Sequence, residues 1–470
     1  MICRTGDDGF DKPHEECGVF GIYDPSVNVT PEVYYGLFAL QHRGQESAGM
    51  TLVDGDGMKS YRAMGLVTEV FRTLPDCPGA HIGIGHVRYS TTGSSIPCNI
   101  QPLQADCAEG PLALAHNGNL VNMGRIRAAL LEEGADFQTT MDSEVIVKLI
   151  ARSHAGTAEE KICDTMSRIR GAYALVICTG HSVIGVRDPF GYRPLVIGRT
   201  SRGGWVLASE TCALDAVGAQ RVRDVQPGEI VTVDAEGIHS IFCREAGGHR
   251  RAMCVFEYIY FARPDSIMNG QSIYQARLNM GRELWKETGY EADAVMSVPD
   301  SGNVAALGYS HASGIPYIEG LMKNKYMGRT FIQPDQNMRE RAVRMKLNPV
   351  SENVMGKRIV LIDDSIVRGT TSGIIIRLLK EAGAAEINLC ISSPPVCYPC
   401  FFGIDTAERK QLIAAKYSCS EICRMIGADR LHYLSKDGLA RSIQAISRRD
   451  LCFACFDGKY PEAVPAFSEE

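Results

Sequence analysis

A cysteine at position 17, in the string EECGVFGIY, stands where a chain cut after residue 16 would begin. A thiol becomes a strong nucleophile when a base lies beside it. A free α-amino group, with a pKa near ~7.7–8.0, is such a base at neutral pH. Freed of residues 1–16, Cys17 would carry nucleophile and base in one residue. A second string, RIVLIDDSIVRGTTS over 358–372, reads as a buried strand, two carboxylates and a small-residue loop opening a helix. That combination suits a ribose phosphate with a metal ion. N–H groups at a helix N-terminus hold a phosphate, and Gly369, Thr370, Thr371 and Ser372 add hydroxyls and close approach. Asp363 and Asp364 offer oxygens to ribose hydroxyls or Mg²⁺, and the spacing is not the GxxxxGK[ST] of a P-loop. Cys452 and Cys455 form a CxxC in DLCFACFDGKYP, Cys254 opens CVFEYIYFARPDS, and Cys400 sits in YPCFFGID. Each feature has a bland counterpart: a buried thiol for Cys17, a turn for the paired Asp, a redox pair or zinc site for the CxxC.

The neighbours of Cys17 sharpen its reading. ECGVFGI, QHRGQESAG (41–49), GHVRYSTTG (85–93), AHNGNLVN (115–122) and TTMDSEVI (139–146) are similar, in order and spacing, to the class II glutamine amidotransferase domain. The resemblance implies that Arg88 holds the glutamine carboxylate, its planar fork suiting bidentate pairing. Asp142 would pair with the ammonium, and the Asn117 side chain with the Gly118 N–H would form an oxyanion hole. Asn117-Gly118 is also a type I′ turn sequence, Arg88 could be a solvated strand residue, and Asp142 a helix N-cap. Arg43 and Gly44 resemble the family's loop near the nucleophile, with packing as the alternative.

The 358–372 string resembles the phosphoribosyl pyrophosphate (PRPP) motif of type I phosphoribosyltransferases, which implies PRPP contacts from Asp363, Asp364, Ser365, Gly369, Thr370, Thr371 and Ser372. VPDSGN (298–303) places Asp300, Ser301 and Gly302 as a pyrophosphate loop, with Ser301 joining Asp363 and Asp364 as Mg²⁺ contacts. The basic segment 323–350 carries Lys323, Lys325, Arg329, Arg339, Arg341, Arg344 and Lys346, and reads as a lid over PRPP, Lys346 touching it; a solvated loop is the alternative. The strings around Cys254, Cys400, Cys452 and Cys455 resemble the iron–sulfur subgroup of amidophosphoribosyltransferases, implying a [4Fe-4S] cluster on four thiolates. Cys397 makes a second CxxC with Cys400, and Cys400 is preferred because PCFxGID matches the family. Resemblance to that family spans nearly the whole chain. It implies an N-terminal nucleophile αββα glutaminase sandwich followed by a phosphoribosyltransferase domain with a parallel sheet, making 5-phosphoribosylamine from glutamine, PRPP and water in purine synthesis. A homotetramer inhibited by purine nucleotides is expected on the same ground, with no nucleic-acid or membrane partner. A dry internal channel for ammonia is expected too, with Tyr89 as a coupler or a core residue. The competing readings are a glucosamine-phosphate synthase, which lacks the PRPP motif, a PRPP-sensing regulator, and an uncleaved inactive homologue.

These residues need elements to hold them. From Val19 to about Val233 short β-like runs such as GVFGIYD, PLALAHNGN and YALVICTG are broken by Gly, Pro, Asn and Asp, with helical stretches at 143–154 and 158–170. The later half alternates buried strands (ADAVMSVP, KRIVLIDD) with helices such as TSGIIIRLLKEAG, the pattern of parallel α/β units. The boundary falls near 245–255, giving a 1–16 propeptide, a 17–250 amidotransferase domain and a 251–470 phosphoribosyltransferase domain. The 470 residues are 45% hydrophobic and 22% charged, ordinary for a globular enzyme. A net charge of -6 argues against a nucleic-acid footprint. The N-terminus lacks a signal peptide's apolar core and no run approaches the ~18 apolar residues of a membrane span, so a cytoplasmic protein is expected. Structural disulfides among the 17 cysteines are then disfavoured, and Cys178 and Cys390 read as buried packing.

Overall fold

Two antiparallel sheets form the first half of the computed structural model, which describes residues 17–89, 95–243, 250–324, 343–404 and 408–465. The expected propeptide, and most of the basic segment, fall outside the described residues. In spatial order one sheet runs Ala219–Asp224, Val196–Thr200, Trp205–Ala208, Gly18–Tyr23, Ile82–Arg88, Ser47–Asp54, Gly57–Met64. The other runs Gly237–Phe242, Glu229–Asp234, Val183–Arg187, Gly171–Cys178, Gly110–Leu120, Leu103–Cys107.

Alternation along the strands builds the layers. Val19, Ile82 and Ile84 of the first sheet meet Ala113, Ala115, Ala174 and Val176 of the second in one apolar seam. The opposite face of the first sheet is covered by helix Thr30–Ala39 through Val33 and Leu37. Helices Asp142–Arg152 and Ala158–Arg168 cover the second through Val145, Leu149, Ile162 and Met166. Helix–sheet–sheet–helix is therefore the arrangement of this half.

The second half is organised by a parallel sheet in the order Ala294–Ser297, Arg358–Asp363, Glu386–Ile391, Arg430–Tyr433. Its central strands are apolar on both sides, as burial between helices requires. Ile374, Ile375 and Leu378 of helix Thr370–Glu381 pack on one face. Helices Ile273–Thr288 and Asn303–Ser313 lie on the other, through Ala276, Met280, Ala305 and Tyr309. Cys178 and Cys390 are fully buried, as expected.

The expectation about disulfides is corrected. Cys163 and Cys243 are joined, with Cα atoms 5.6 Å apart. Helix Ala158–Arg168 lies where the chain leaves strand Gly237–Phe242, and both cysteines fall in one apolar layer, at a separation a disulfide spans without backbone movement.

Candidate active sites

Cys17 precedes strand Gly18–Tyr23, whose neighbour Ile82–Arg88 pairs Val87 with Gly18. That register sets Cys17 beside Arg88 and Tyr89. The Cys17 thiol donates to the Tyr89 carbonyl at 3.4 Å, and Arg43 Nε donates to the Cys17 carbonyl at 3.2 Å. Burial pushes the thiol up to about 11, partly offset by the Tyr89 backbone and the Arg88 guanidinium, while the Glu46 and Asp142 carboxylates raise it further. With residue 16 attached, the thiol is protonated at neutral pH.

Period-2 alternation puts Arg88 and Asn117 on the faces that meet between the sheets. Arg88 is fully buried, with Nη1 3.6 Å from Glu46 Oε2 and Nη2 3.4 Å from Met141 Sδ; it is not a solvated strand residue. Asn117-Gly118 is not a turn either, since both lie inside strand Gly110–Leu120, opposite Ala174 and Tyr173. Asn117 Nδ2 is buried and has no hydrogen-bond partner among the described residues. Gly118 holds φ +146°, and a Cβ there would lie 2.0 Å from the Ala172 carbonyl oxygen, so only glycine fits. Asp142 does not cap its own helix. It is the first helical residue after Met141, and its Oδ2 accepts the Leu120 N–H at 2.9 Å. Burial pushes this carboxyl up, but His116 and the Leu120 and Ser143 hydrogen bonds outweigh it, and the net shift is downward.

The second constellation forms where parallel strands end together. Ser297 pairs with Ile362, and Val298 N–H donates to the Ile362 carbonyl at 2.9 Å. The 300–302 loop and Asp363–Asp364 therefore emerge side by side at the carboxyl edge, where open α/β sheets bind ligands. Asp363 and Asp364 are buried. Asp364 N–H donates to Asp363 Oδ1 at 2.9 Å and Ser365 Oγ to Asp364 Oδ1 at 2.5 Å. Gly369, at φ +83°, opens helix Thr370–Glu381, so Thr370, Thr371 and Ser372 form its first turn. Ser301 precedes helix Asn303–Ser313. Lys323 pairs with Asp300 and the chain around Lys346 returns beside it, in a ribbon pairing Leu321 with Pro349 and Lys323 with Leu347. Arg344 instead bonds Glu381 at 3.0 and 3.1 Å, away from the loop.

Sequence reasoning missed the contacts that join the two halves. Arg43 Nη1 bonds Glu210 at 2.6 Å, and Arg43 Nη2 bonds Glu257 at 2.7 Å. Arg193 lies 3.5 Å from Glu257 and donates through Nε to the Phe402 carbonyl at 3.0 Å. All four charged side chains are fully buried. Asn119 Nδ2 adds a bond to the Phe401 carbonyl at 2.8 Å. The CFFG segment at 400–403 thus rests on the strand carrying Gly118.

Cys254 is the in-register partner of Cys452, on short parallel strands. Burial, then the neighbouring Cys452, Cys254 and Cys400 thiols, hold the Cys455 thiol well above its ordinary value. Cys400 Sγ accepts the Phe402 N–H at 3.3 Å. The Cys397 thiol is directed elsewhere, to the Ala414 and Pro395 carbonyls. Among the described residues, no group of three or more His, Cys, Asp or Glu side chains has the arrangement of a preformed metal site.

Residues 86–216 match the family model described as a glutamine amidotransferase domain. Over 466 residues the chain is 52% identical to an amidophosphoribosyltransferase of Synechocystis, covering 97% of this chain and 92% of that one. An amidophosphoribosyltransferase of Archaeoglobus fulgidus is 48% identical, covering 96% and 98%. The glutamine PRPP amidotransferase of B. subtilis, solved with ADP and GMP, superposes with a TM-score of 0.89 at 48% identity, over 95% of this chain and 97% of that one.

Proposed function

The chain belongs to the amidophosphoribosyltransferase family, and we propose that it makes 5-phosphoribosylamine from glutamine, PRPP and water, the first committed step of purine (IMP) synthesis, with one catalytic centre in each half. Residues 17–250 form the glutaminase and 251–470 the phosphoribosyltransferase. Removal of residues 1–16 frees the Cys17 amine, which takes the thiol proton. The thiolate attacks the glutamine amide carbon while Arg88 holds the carboxylate and Asp142 the ammonium. Charge on the amide oxygen falls to Asn117 Nδ2 and the Gly118 N–H. Ammonia leaves, and water hydrolyses the thioester to glutamate. At the other centre Ser365, Gly369, Thr370, Thr371 and Ser372 cradle the 5′-phosphate, while Asp363 and Asp364 hold the ribose. Lys346 faces the pyrophosphate, and ammonia displaces it from C1. Asp363, Asp364 and Ser301, oxygen donors at one strand edge, fit Mg²⁺, which when bound would offset pyrophosphate charge.

The observation that carries the reading is the buried Asn117 Nδ2, on the seam that Cys17 and Arg88 also face, which has no hydrogen-bond partner among the described residues: a donor so placed can receive a transient acceptor. Gly118→Ala would push its Cβ into Ala172, twist the neighbouring N–H and lower glutamine-dependent synthesis by about 10²-fold or more. The rate with added ammonia would stay at the wild-type value.

The Cys254, Cys400 and Cys452 thiols neighbour Cys455, and these four match the thiolate complement of a [4Fe-4S] cluster, although their spacing is not that of a preformed site. Bound there, the cluster would tie residues 451–465 to the domain, because the reaction transfers no electrons. Arg193, whose charge reaches Cys452, and Arg43, which holds the Cys17 carbonyl, both pair with Glu257 and would carry that segment's position to the Cys17 loop. Feedback by purine nucleotides belongs to the same reading and is supported by the B. subtilis relative's complex with ADP and GMP, with a homotetramer in the cytoplasm as the assembly. No described helix is long and apolar enough to cross a membrane. The decisive experiment combines the intact mass of anaerobically purified protein, iron and sulfide content, and PRPP-dependent glutamate release. Loss of the sixteen-residue mass with PRPP-coupled turnover supports the reading; an active protein that keeps those residues overturns it.

A further inference from the structure

His116 precedes the oxyanion residue Asn117 and points the other way. Alternation sends Ala115 and Asn117 to the seam between the sheets and His116 to the face covered by helix Asp142–Arg152. There its Nδ1 lies 3.1 Å from Ser143 Oγ and 3.7 Å from Asp142 Oδ1. Ser143 Oγ lies 3.5 Å from Asp142 Oδ1 and donates to it. The other ring nitrogen, Nε2, lies 3.5 Å from the Ala172 carbonyl. With the Ser143 hydroxyl proton directed to Asp142, its lone pair faces the nearer Nδ1 at 3.1 Å, and the proton is assigned to Nδ1 on that ground. The chain of donors runs from His116 Nδ1–H to Ser143 Oγ–H to the Asp142 carboxylate.

The backbone of His116 is gripped on both sides. Its N–H donates to Gln101 Oε1 at 2.7 Å, and its carbonyl accepts from His86 Nε2 at 3.1 Å. His86 is fully buried, and burial lowers its ring to about 3, so it is neutral and its single N–H is the one at Nε2. His86 lies in the first sheet, two residues before Arg88, and His116 in the second. Their bond crosses the seam between the strands that carry Arg88 and Asn117.

We propose that His116 is a positioning residue for glutamine: its imidazole orients the Asp142 carboxylate for the substrate's α-ammonium, while its carbonyl, held by His86, fixes that carboxylate's distance from the carboxylate-binding Arg88. The inference rests on the assignment of Asp142 to the ammonium. An ammonium among these buried groups is recognised by one correctly aimed carboxylate, and among the described residues the Leu120 N–H, Ser143 and His116 aim Asp142.

The test compares glutamine with 4-carbamoylbutanoate, which keeps the carboxylate and amide and lacks the ammonium. Hydrolysis of both is measured as kcat/KM for the wild type, His116→Phe, His116→Asn and Asp142→Asn. His116→Phe keeps the ring volume without nitrogens, and is expected to reduce the preference for glutamine at least tenfold through KM, with little change for the analogue. His116→Asn keeps an N–H near the Nδ1 position and is expected to retain most of the preference. His116→Gln, with its amide nearer the Nε2 position, replaces the Phe variant if that chain does not fold, and should lose the preference likewise. Ammonia-dependent synthesis at the second centre reports folding. Equal losses on both substrates in His116→Phe, or its replacement, would mean a merely structural residue and overturn the proposal. If Asp142→Asn itself keeps the preference, the assignment of Asp142 is what fails.

Discussion

Replacing Cys17 with alanine is expected to abolish glutamine-dependent synthesis of 5-phosphoribosylamine, by about 10⁴-fold or more, while synthesis from added ammonia continues at the wild-type rate. In the proposed mechanism Arg88, Asn117 and Asp142 bind and stabilise, and the thiol alone forms and releases the acyl intermediate. The second centre lies on a separate sheet, and its substrate nitrogen can come from solution. The same reasoning makes a chain that keeps residue 16 as inactive toward glutamine as the alanine variant. Burial pushes the Cys17 thiol to about 11, so roughly one molecule in 10⁴ carries a thiolate at pH 7, and an amide nitrogen cannot act as base. Parallel assays with glutamine and with ammonium chloride on Cys17→Ala check the expectation. Loss of both activities would falsify the division into two centres.

How much of this was legible in the sequence depends on how local the signal is. Cys17, Arg88, Asn117, Gly118 and Asp142 lie in four short strings; the sheet register sets Cys17 beside Arg88, and strand Gly110–Leu120 carries both Asn117 and Gly118. The Asp363–Ser372 run is a single strand–loop–helix unit, readable because all its parts adjoin. Helices expected at 143–154 and 158–170 appear at Asp142–Arg152 and Ala158–Arg168. Non-local pairings were hidden. Glu210, Glu257 and Arg193 have no motif of their own, and acquire meaning only when the two halves close on Arg43. His86 and His116 stand inside recognised strings, yet which way each points depends on strand alternation and on the helix packed outside. Cys163 and Cys243, 80 residues apart, share no spacing pattern. The turn preference of Asn-Gly was overridden because Gly118 is needed inside a strand, against Ala172.

Asp364→Asn is expected to lower synthesis with glutamine and with ammonia alike, by about 10²–10³-fold, and to leave the slow hydrolysis of glutamine without PRPP intact. The substitution keeps shape: the amide oxygen still accepts the Ser365 hydroxyl now bonded at 2.5 Å. What it removes is one negative charge at the strand edge, where ribose hydroxyls or a divalent cation need carboxylate oxygen. A neighbouring cation could blur the result, since Arg277 is buried and the Asp364 charge favours its protonated form. Burial, the larger effect, already lowers Arg277 to about 10, still far above neutral pH, so loss of Asp364's support leaves it charged. Arg277 also keeps its bonds to the Tyr258 and Ala262 carbonyls at 2.9 and 2.8 Å. A melting temperature near the wild-type value would separate lost chemistry from lost folding. Asp363→Asn serves as comparison: its Oδ1 holds the Asp364 N–H at 2.9 Å, so that variant should disturb the loop as well as the charge and show the lower melting temperature. An Asp364→Asn enzyme that still made 5-phosphoribosylamine from ammonia at full rate would place the sugar elsewhere than this strand edge.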